Sequence, residues 1–121
     1  MFTKKYRKKS DNKEQLLQKS IVLWFSFQYP KLNGLLFHVN NNSNNVITGG
    51  NMKKLGVIPG VSDLIFLFDG RCYFIELKSK KGSQSSDQKI WQKKVEQQNF
   101  NYRIIKSLDE FKAFIKQIIE A

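Results

Sequence analysis

An Asp69-Gly70 pair between two apolar, β-prone segments constrains the fold more than any other feature of the chain. Residues 64–68 read Leu-Ile-Phe-Leu-Phe, and residues 71–78 are again rich in aromatic and β-branched side chains. An Asp-Gly pair in this setting signals a two-residue β-hairpin turn, because both turn positions require a positive φ. The sequence therefore predicts two antiparallel strands joined at residues 69–70.

A two-residue turn fixes which residues of the two strands face each other. Counting outward from the turn, Leu67 pairs with Cys72, and Asp63 comes to stand opposite Glu76. Because side chains alternate along a strand, Lys78 lies on the same face as Glu76. Two carboxylates and one amine are thus predicted to converge at one end of an apolar sheet.

Two carboxylates at facing positions repel each other, since their Cβ atoms are only about 4.5 to 5.5 Å apart. A divalent cation is the obvious compensation. Oxygen ligands in this number suit Mg²⁺, or Mn²⁺ as a substitute, with water and substrate phosphate in the remaining positions. The alternative is a surface cluster without chemistry, in which Lys78 neutralises part of the charge of Asp63 and Glu76. The facing geometry favours the functional interpretation.

Helical spacing of apolar residues marks three segments. Residues 12–28 are predicted as the first helix, and residues 86–98 as the second, with Ser85 and Gln88 as a capping box. The third helix occupies the C-terminus after Ser107, which forms a second possible capping box with Glu110.

Short strands are predicted at residues 35–39 and 102–105, in addition to the hairpin. The element order is α-β-β-β-α-β-α, which indicates the α/β class with a mixed β-sheet flanked by helices. The unbroken apolarity of residues 64–68 implies burial on both faces of the sheet.

Charge and composition narrow the function classes. The 121 residues include 21 Lys and Arg against 10 Asp and Glu, and the formal charge of +11 points to a polyanionic partner, with acidic membrane as the competing one. No segment approaches the roughly 18 apolar residues of a spanning helix. The single cysteine, Cys72, excludes an internal disulfide and a multi-cysteine zinc site. We expect a cytoplasmic protein (in the host cytoplasm if the source is viral) with DNA as its partner and no membrane association.

The basic residues divide the chain into an arm and a domain. Residues 1–11 are predicted as a flexible basic arm and residues 12–121 as a single domain, in which Asn40–Asn51 forms a mobile polar loop. Lysines also flank the facing carboxylates. The side chains predicted to bind phosphates without reading base sequence are Lys4, Lys5, Arg7, Lys8, Lys9, Lys53, Lys54, Lys80 and Lys81.

Three further residues have two interpretations each. Glu14 shares a helix face with Leu17 and so leans towards the core, but with Asp11 it also fits a helix cap. Gln88 faces the sheet and has its own capping explanation. His38, the only histidine, lies in an apolar run, where a structural role is favoured over catalysis.

Pro59-Gly60-Val61-Ser62-Asp63-Leu64 and Glu76-Leu77-Lys78, followed by Gln88 and Trp91, resemble the virus-type replication-repair nuclease (VRR-Nuc) domain of the PD-(D/E)xK superfamily. The resemblance runs from Glu14 to the last helix. Its specificity lies in the linked order of Gly-x-x-Asp-Leu, Glu-x-Lys and Gln-x-x-Trp, since Glu-x-Lys alone is common. The chain departs from the family at Ser62, where a second proline is frequent, and in its asparagine-rich loop, which is less basic than usual.

The resemblance implies a restriction-endonuclease-like core and roles for individual residues. Asp63 and Glu76 would bind the metal, with Glu14 and the backbone carbonyl of Leu77 as further ligands, and Lys78 would orient or activate water. Gln88 matches the family's glutamine and joins the expected catalytic set. The chain resembles the short stand-alone viral and bacterial type, which implies a homodimer that acts on branched DNA.

The expected function is a metal-dependent, structure-selective DNA endonuclease that hydrolyses phosphodiester bonds in substrates such as four-way (Holliday) junctions. One alternative is a restriction-type endonuclease on the same fold, which would cut linear duplex at one short sequence. The other is a basic DNA-binding protein without catalysis, whose acidic cluster is structural.

Overall fold

The computed structural model describes residues 9–39 and 46–121. Its helices are α1 (Lys9–Gln28), α2 (Val46–Lys54), α3 (Ser86–Gln97) and α4 (Leu108–Ile119), with a 3₁₀ turn at Pro30–Leu32. Its strands are β1 (Leu36–His38), β2 (Leu64–Phe68), β3 (Arg71–Leu77) and β4 (Asn101–Ile105). They form one sheet in the order β1-β2-β3-β4. The β1–β2 and β2–β3 pairs are antiparallel and β3–β4 is parallel, which confirms the predicted mixed sheet.

The Asp69-Gly70 turn sets the register of the hairpin as predicted. Asp69 has φ 51° and Gly70 has φ 74°, so both central residues adopt the left-handed conformation of a type I′ turn. Leu67 pairs with Cys72, and Leu64 pairs with Ile75. One step beyond this last pair, Asp63 stands opposite Glu76.

One face of the sheet carries the hydrophobic core, which α1 and α4 cover. Phe66 on β2 packs edge-on against Phe25 of α1, with 5.5 Å between ring centroids. Trp24 of α1 and Phe111 of α4 pack edge-on at 6.1 Å. The apolar residues whose spacing predicted helix α1 therefore form the side of that helix that faces the core.

The opposite face of the sheet is only partly covered. Trp91 of α3 packs against Phe74 of β3 at 5.1 Å and against Tyr102 of β4 at 6.1 Å. On β2, Ile65 is half-buried and Leu67 is 39% exposed. The prediction that residues 64–68 are buried on both faces is wrong, because α3 packs on the β3–β4 side of this face.

Two boundaries differ from the prediction. Helix α1 begins at Lys9, so residues 9–11 belong to a helix and not to the basic arm, whose residues 1–8 lie outside the described part. Residues 46–51 lie in α2, where a loop was expected, while residues 40–45 also lie outside that part. Asn, Thr and Gly disfavour helices, so local composition gave no signal for α2. No helix in the described ranges is long and apolar enough to cross a membrane.

The two predicted capping boxes differ in the structure. At α3 the Ser85 hydroxyl accepts the Gln88 N–H and the Gln88 side chain accepts the Ser85 N–H, which confirms the box. At α4 the Ser107 hydroxyl accepts the Glu110 N–H at 3.1 Å. The Glu110 carboxylate, however, accepts the N–H of Lys106 at 2.8 Å instead of that of Ser107. The second box is therefore only half correct.

Gly60 and Gly56 provide a matched test of how the segment before Asp63 is held. Both have φ near +90°, but a Cβ on Gly56 would meet open space, whereas one on Gly60 would overlap the Asp87 carbonyl and lie 2.8 Å from the Gln88 nitrogen. We expect Gly56→Ala to cost about 1 to 2 kcal/mol of unfolding free energy, from backbone strain alone. Gly60→Ala should cost about 1 to 3 kcal/mol more, because α3 must shift.

Urea denaturation of the two variants measures the difference. Equal losses of unfolding free energy would show that Gly60 does not position the first turn of α3.

Candidate active site

Asp63 is held at the entrance to β2 by the neighbouring strand. Its Oδ2 atom accepts the backbone N–H of Leu77 at 2.8 Å. The next amide, that of Lys78, donates to the Ile105 carbonyl at 3.0 Å and continues the parallel pairing with β4. Because the N–H and C=O of one strand residue point to the same side, the Leu77 carbonyl also points towards the Asp63 side.

Glu76 is the most deeply buried acid of the site, with 1% of its surface exposed. Two side chains contact one of its oxygens: Gln88 Nε2 donates to Oε2 at 2.8 Å, and Lys78 Nζ lies 3.6 Å from that atom. The other oxygen, Oε1, is buried and has no hydrogen-bond partner among the described residues. A buried acceptor without a partner is costly, so Oε1 is available for a cation or a proton.

One amide side chain serves both purposes considered for Gln88. Its Oε1 atom accepts the Ser85 N–H at 2.9 Å as part of the α3 cap, and its Nε2 atom donates to Glu76. The cap therefore fixes the rotamer that orients the carboxylate. Gln88 therefore belongs both to the helix cap and to the site, and its hydrogen bond to Glu76 connects the start of α3 to β3.

Lys78 is buried as well, with 8% of its residue surface exposed. Its ammonium group and the Gln88 amide both contact Glu76 Oε2, and neither of them contacts Oε1. The predicted convergence of Asp63, Glu76 and Lys78 is thus present in the structure.

Burial raises the pKa values of both carboxyl groups, and the negative charge of Asp63 adds to the rise at Glu76. For Glu76, burial is the larger cause and the negative charge of Asp63 the second, and together they raise the pKa to about 8. Burial also raises the pKa of Asp63, against the lowering effect of the Leu77 hydrogen bond. Near neutral pH and without a cation, the pair therefore retains a proton.

A cleft of about 400 Å³ opens in front of Asp63. Its walls come from α1, β1 and the end of β3, and the lining residues are Glu14, Gln15, Gln18, Lys19, His38, Asp63 and Leu77. Helix α1 thus presents a polar strip directly to the carboxylate. The sequence singled out only Glu14 from this strip.

Glu14 lies in the second turn of α1, which excludes the capping interpretation, since the helix begins at Lys9. Its Oε2 atom accepts the Ser79 N–H at a long 3.4 Å. Within the described ranges, no three acid, histidine or cysteine side chains lie close enough together to hold a metal ion. Glu14 therefore shares the cleft with Asp63, but it does not complete a ready-made cluster of three ligands.

His38 is the residue that the sequence undervalued. It is exposed, and its Nδ1–H donates to the Asp63 carbonyl at 2.8 Å, while the Val39 N–H donates to the same oxygen at 3.1 Å. The structural role predicted for His38 consists in holding the backbone of Asp63, and its ring also lines the cleft. Predicting this contact requires the β1–β2 pairing, which places His38 opposite Leu64 and so next to Asp63.

The donor set fits Mg²⁺ or Mn²⁺. These ions prefer oxygen ligands and need only one or two protein carboxylates, because water and phosphate oxygens fill the other positions. Asp63, Glu76 Oε1 and the Leu77 carbonyl are the oxygens available on this side of the sheet.

The predicted phosphate-binding residues separate into three groups. Lys80 and Lys81 line a second cleft beside the site. Lys53 and Lys54 are exposed in the last turn of α2, and neither lines the cleft in front of Asp63. The side chain of Lys9 and all of Lys4, Lys5, Arg7 and Lys8 lie outside the described part of the protein.

Comparison with solved structures identifies the fold. No family model and no curated protein matches the chain. A solved structure described as a VRR_NUC domain protein superposes with a TM-score of 0.75, covering 89% of this chain and 88% of that chain at 22% identity. The chain has the VRR-Nuc fold. The resemblance inferred from the sequence is thereby confirmed at the level of the fold.

The metal-free protein should lose stability as the pH rises towards 8. The pKa of Glu76 is about 8 in the folded chain and has an ordinary value near 4.5 in the unfolded chain. Between these pH values the folded state holds a proton that the unfolded state has lost, so the free energy of unfolding decreases with pH. Glu76→Gln should remove much of this dependence and stabilise the protein at pH 8 by a few kcal/mol.

Urea denaturation in chelator between pH 5 and 8.5 checks this, with Glu120→Gln at the exposed end of α4 as the matched control. A slope in Glu76→Gln as steep as that of the wild type would contradict the pKa assigned to Glu76.

Proposed function

We propose that the protein is a metal-dependent DNA endonuclease that hydrolyses phosphodiester bonds. The observation that carries this proposal is the orientation of Glu76: Gln88 and Lys78 occupy Oε2, and the buried Oε1 is left without a partner beside a second carboxylate. A carboxyl pair needed only for stability would be better served by two hydrogen-bonded oxygens. The VRR-Nuc fold supports the same reaction class.

A divalent cation bound there would supply Lewis-acid stabilisation of a phosphate oxygen and lower the pKa of a bound water. The residues of the chain provide the framework for this chemistry. Asp63 and Glu76 would bind the cation through carboxylate oxygens. The Leu77 N–H positions the Asp63 carboxylate and Gln88 positions that of Glu76, and the Leu77 carbonyl points towards Asp63.

Lys78 contributes positive charge next to these carboxylates. Because its ammonium is largely buried, its field is weakly screened, and it favours the deprotonated form of a water placed beside Glu76. Glu14 and His38 shape the cleft from α1 and β1. His38 acts here through the backbone of Asp63, so the proposed chemistry does not require a histidine base.

DNA is the proposed substrate because the chain carries a net charge of +11 and lysines line both the cleft in front of Asp63 and the second cleft beside it. No base-reading module is recognisable in the sequence, which favours recognition of DNA shape. The resemblance to short stand-alone VRR-Nuc proteins supports branched DNA as the substrate and a homodimer as the active form, since a two-fold assembly matches a four-way junction.

Removal of either central side chain should abolish cleavage. We expect Glu76→Gln and Lys78→Ala each to reduce the rate of Mg²⁺-dependent cleavage at least about a hundredfold, because each removes charge from the reacting centre. DNA affinity should remain near that of the wild type. The assay is a parallel digest of labelled linear duplex, single strand, flap and four-way junction, with Mg²⁺ or with chelator.

Glu120→Gln and Lys116→Ala, both exposed at the end of α4, repeat the same changes away from the site and should cleave normally. Undiminished cleavage by Glu76→Gln or Lys78→Ala would refute the assigned roles. Cleavage of linear duplex at one short sequence would indicate a restriction-type enzyme, and tight binding without any cleavage would indicate a non-catalytic DNA-binding protein.

Metal binding should be visible without DNA. A cation that binds only the folded state raises the unfolding free energy by about 1.4 kcal/mol at ten times its Kd. We therefore expect Mn²⁺ to raise the melting temperature of the wild type and of Glu120→Gln, and to have little effect on Asp63→Asn. Equal stabilisation of all three proteins would place the bound ion elsewhere.

A further inference from the structure

A second cleft, of about 440 Å³, lies next to the candidate active site and is lined mainly by lysines. We call it the lysine cleft, and its lining residues are Lys13, Leu17, Ser79, Lys80, Lys81 and Lys106. Neither Lys13 nor Lys106 is among the residues that the sequence predicts to bind phosphate. All four lysines are exposed.

The parallel pairing of β3 with β4 creates this cleft. Parallel strands end at the same edge of a sheet, so the segment after Leu77 and the segment after Ile105 emerge side by side. The Lys106 ammonium donates to the Lys80 carbonyl at 3.4 Å, which holds the two segments together. Helix α1 crosses this edge and adds Lys13 from the opposite wall.

Charge at the lysine cleft is unbalanced. In the described ranges, none of its four ammonium groups forms an ion pair with a carboxylate. Two carboxylates stand beside it, and each accepts a backbone N–H: Glu14 from Ser79 and Glu110 from Lys106. Four like charges around one concave surface repel each other, and an anion placed between them would relieve that repulsion.

Ser79 connects the lysine cleft to the candidate active site. Ser79 itself lines the lysine cleft. Its backbone N–H donates to Glu14, which lines the cleft in front of Asp63. Along the sequence, Lys78 belongs to the acidic site and Lys80 to the lysine cleft. Two residues apart, their Cα atoms are separated by at most about 7 Å. Successive phosphates of a DNA strand advance about 3.4 Å along the helix axis, so neighbouring phosphates of one strand match the spacing of these two places.

We propose that the lysine cleft binds a backbone phosphate of the same DNA strand whose neighbouring phosphate is cleaved at Asp63 and Glu76. This inference rests on the proposed function and adds to it the residues that position the strand. Lysine ammonium groups recognise phosphate as point charges and read no base sequence, which matches recognition of DNA shape. Lys13 and Lys106 are then phosphate-binding residues.

The test measures DNA affinity in the Glu76→Gln background, so that cleavage does not interfere. We compare Lys13→Ala/Lys106→Ala with Lys31→Ala/Lys116→Ala, which removes the same charge from exposed positions outside the lysine cleft. Binding of a fluorescent four-way junction is titrated in chelator between 50 and 200 mM salt. The first double variant should bind at least about tenfold more weakly, and the slope of log K against log salt should fall by about 1 to 2. The second should change the affinity less than twofold.

Equal losses in the two double variants would overturn the proposal, since total charge alone would then explain binding. The lysine-cleft proposal and the proposed endonuclease function can fail separately. If the wild type cleaves DNA but the two double variants bind equally well, only the lysine cleft is refuted. If the wild type does not cleave but Lys13→Ala/Lys106→Ala still weakens binding selectively, the lysine cleft stands as a DNA-binding site and the catalytic assignment fails.

Discussion

The register of the β2–β3 hairpin is the constraint on which the rest of the candidate site depends. The tight Asp69-Gly70 turn leaves one pairing between the two strands, and that pairing places Asp63 opposite Glu76. A slip of one residue would turn every side chain of one strand to the other face and separate the carboxylates across the sheet. The buried core residues of the other face, such as Phe66 and Ile75, oppose that slip because it would expose them.

Within this frame, the proposed chemistry depends on one oxygen of Glu76. Gln88 is fixed by the cap of α3, and Lys78 by its position directly after β3, and both contact Oε2. The remaining oxygen is buried, which makes an uncompensated negative charge expensive and raises the pKa of the carboxyl group. A site with this balance can hold a proton or a cation, and a cation releases the proton.

Opposite charges are arranged at neighbouring places along the same edge of the sheet. Glu76 is buried and Asp63 is half-buried at this edge, whereas the lysines after β3 and β4 are exposed. Under the proposed function, a cation would bind at the carboxylates and a backbone phosphate would contact the exposed ammonium groups, so that one DNA strand would meet both regions. The Ser79–Glu14 hydrogen bond joins the two regions, so a shift of α1 would alter both clefts together.

The sequence by itself determined the hairpin, the facing of Asp63 and Glu76, and the position of Lys78, because a turn of fixed length and the two-residue period of a strand are local rules. It missed α2, whose Asn, Thr and Gly residues favour a loop, and it could not assign Glu14 without the true start of α1. Only the tertiary structure decided that His38 holds the Asp63 backbone, that α3 leaves Leu67 partly exposed, and that Lys13 and Lys106 meet beside Lys80. These contacts join residues far apart in the chain, and they depend on strand pairing and helix packing, which no local pattern specifies.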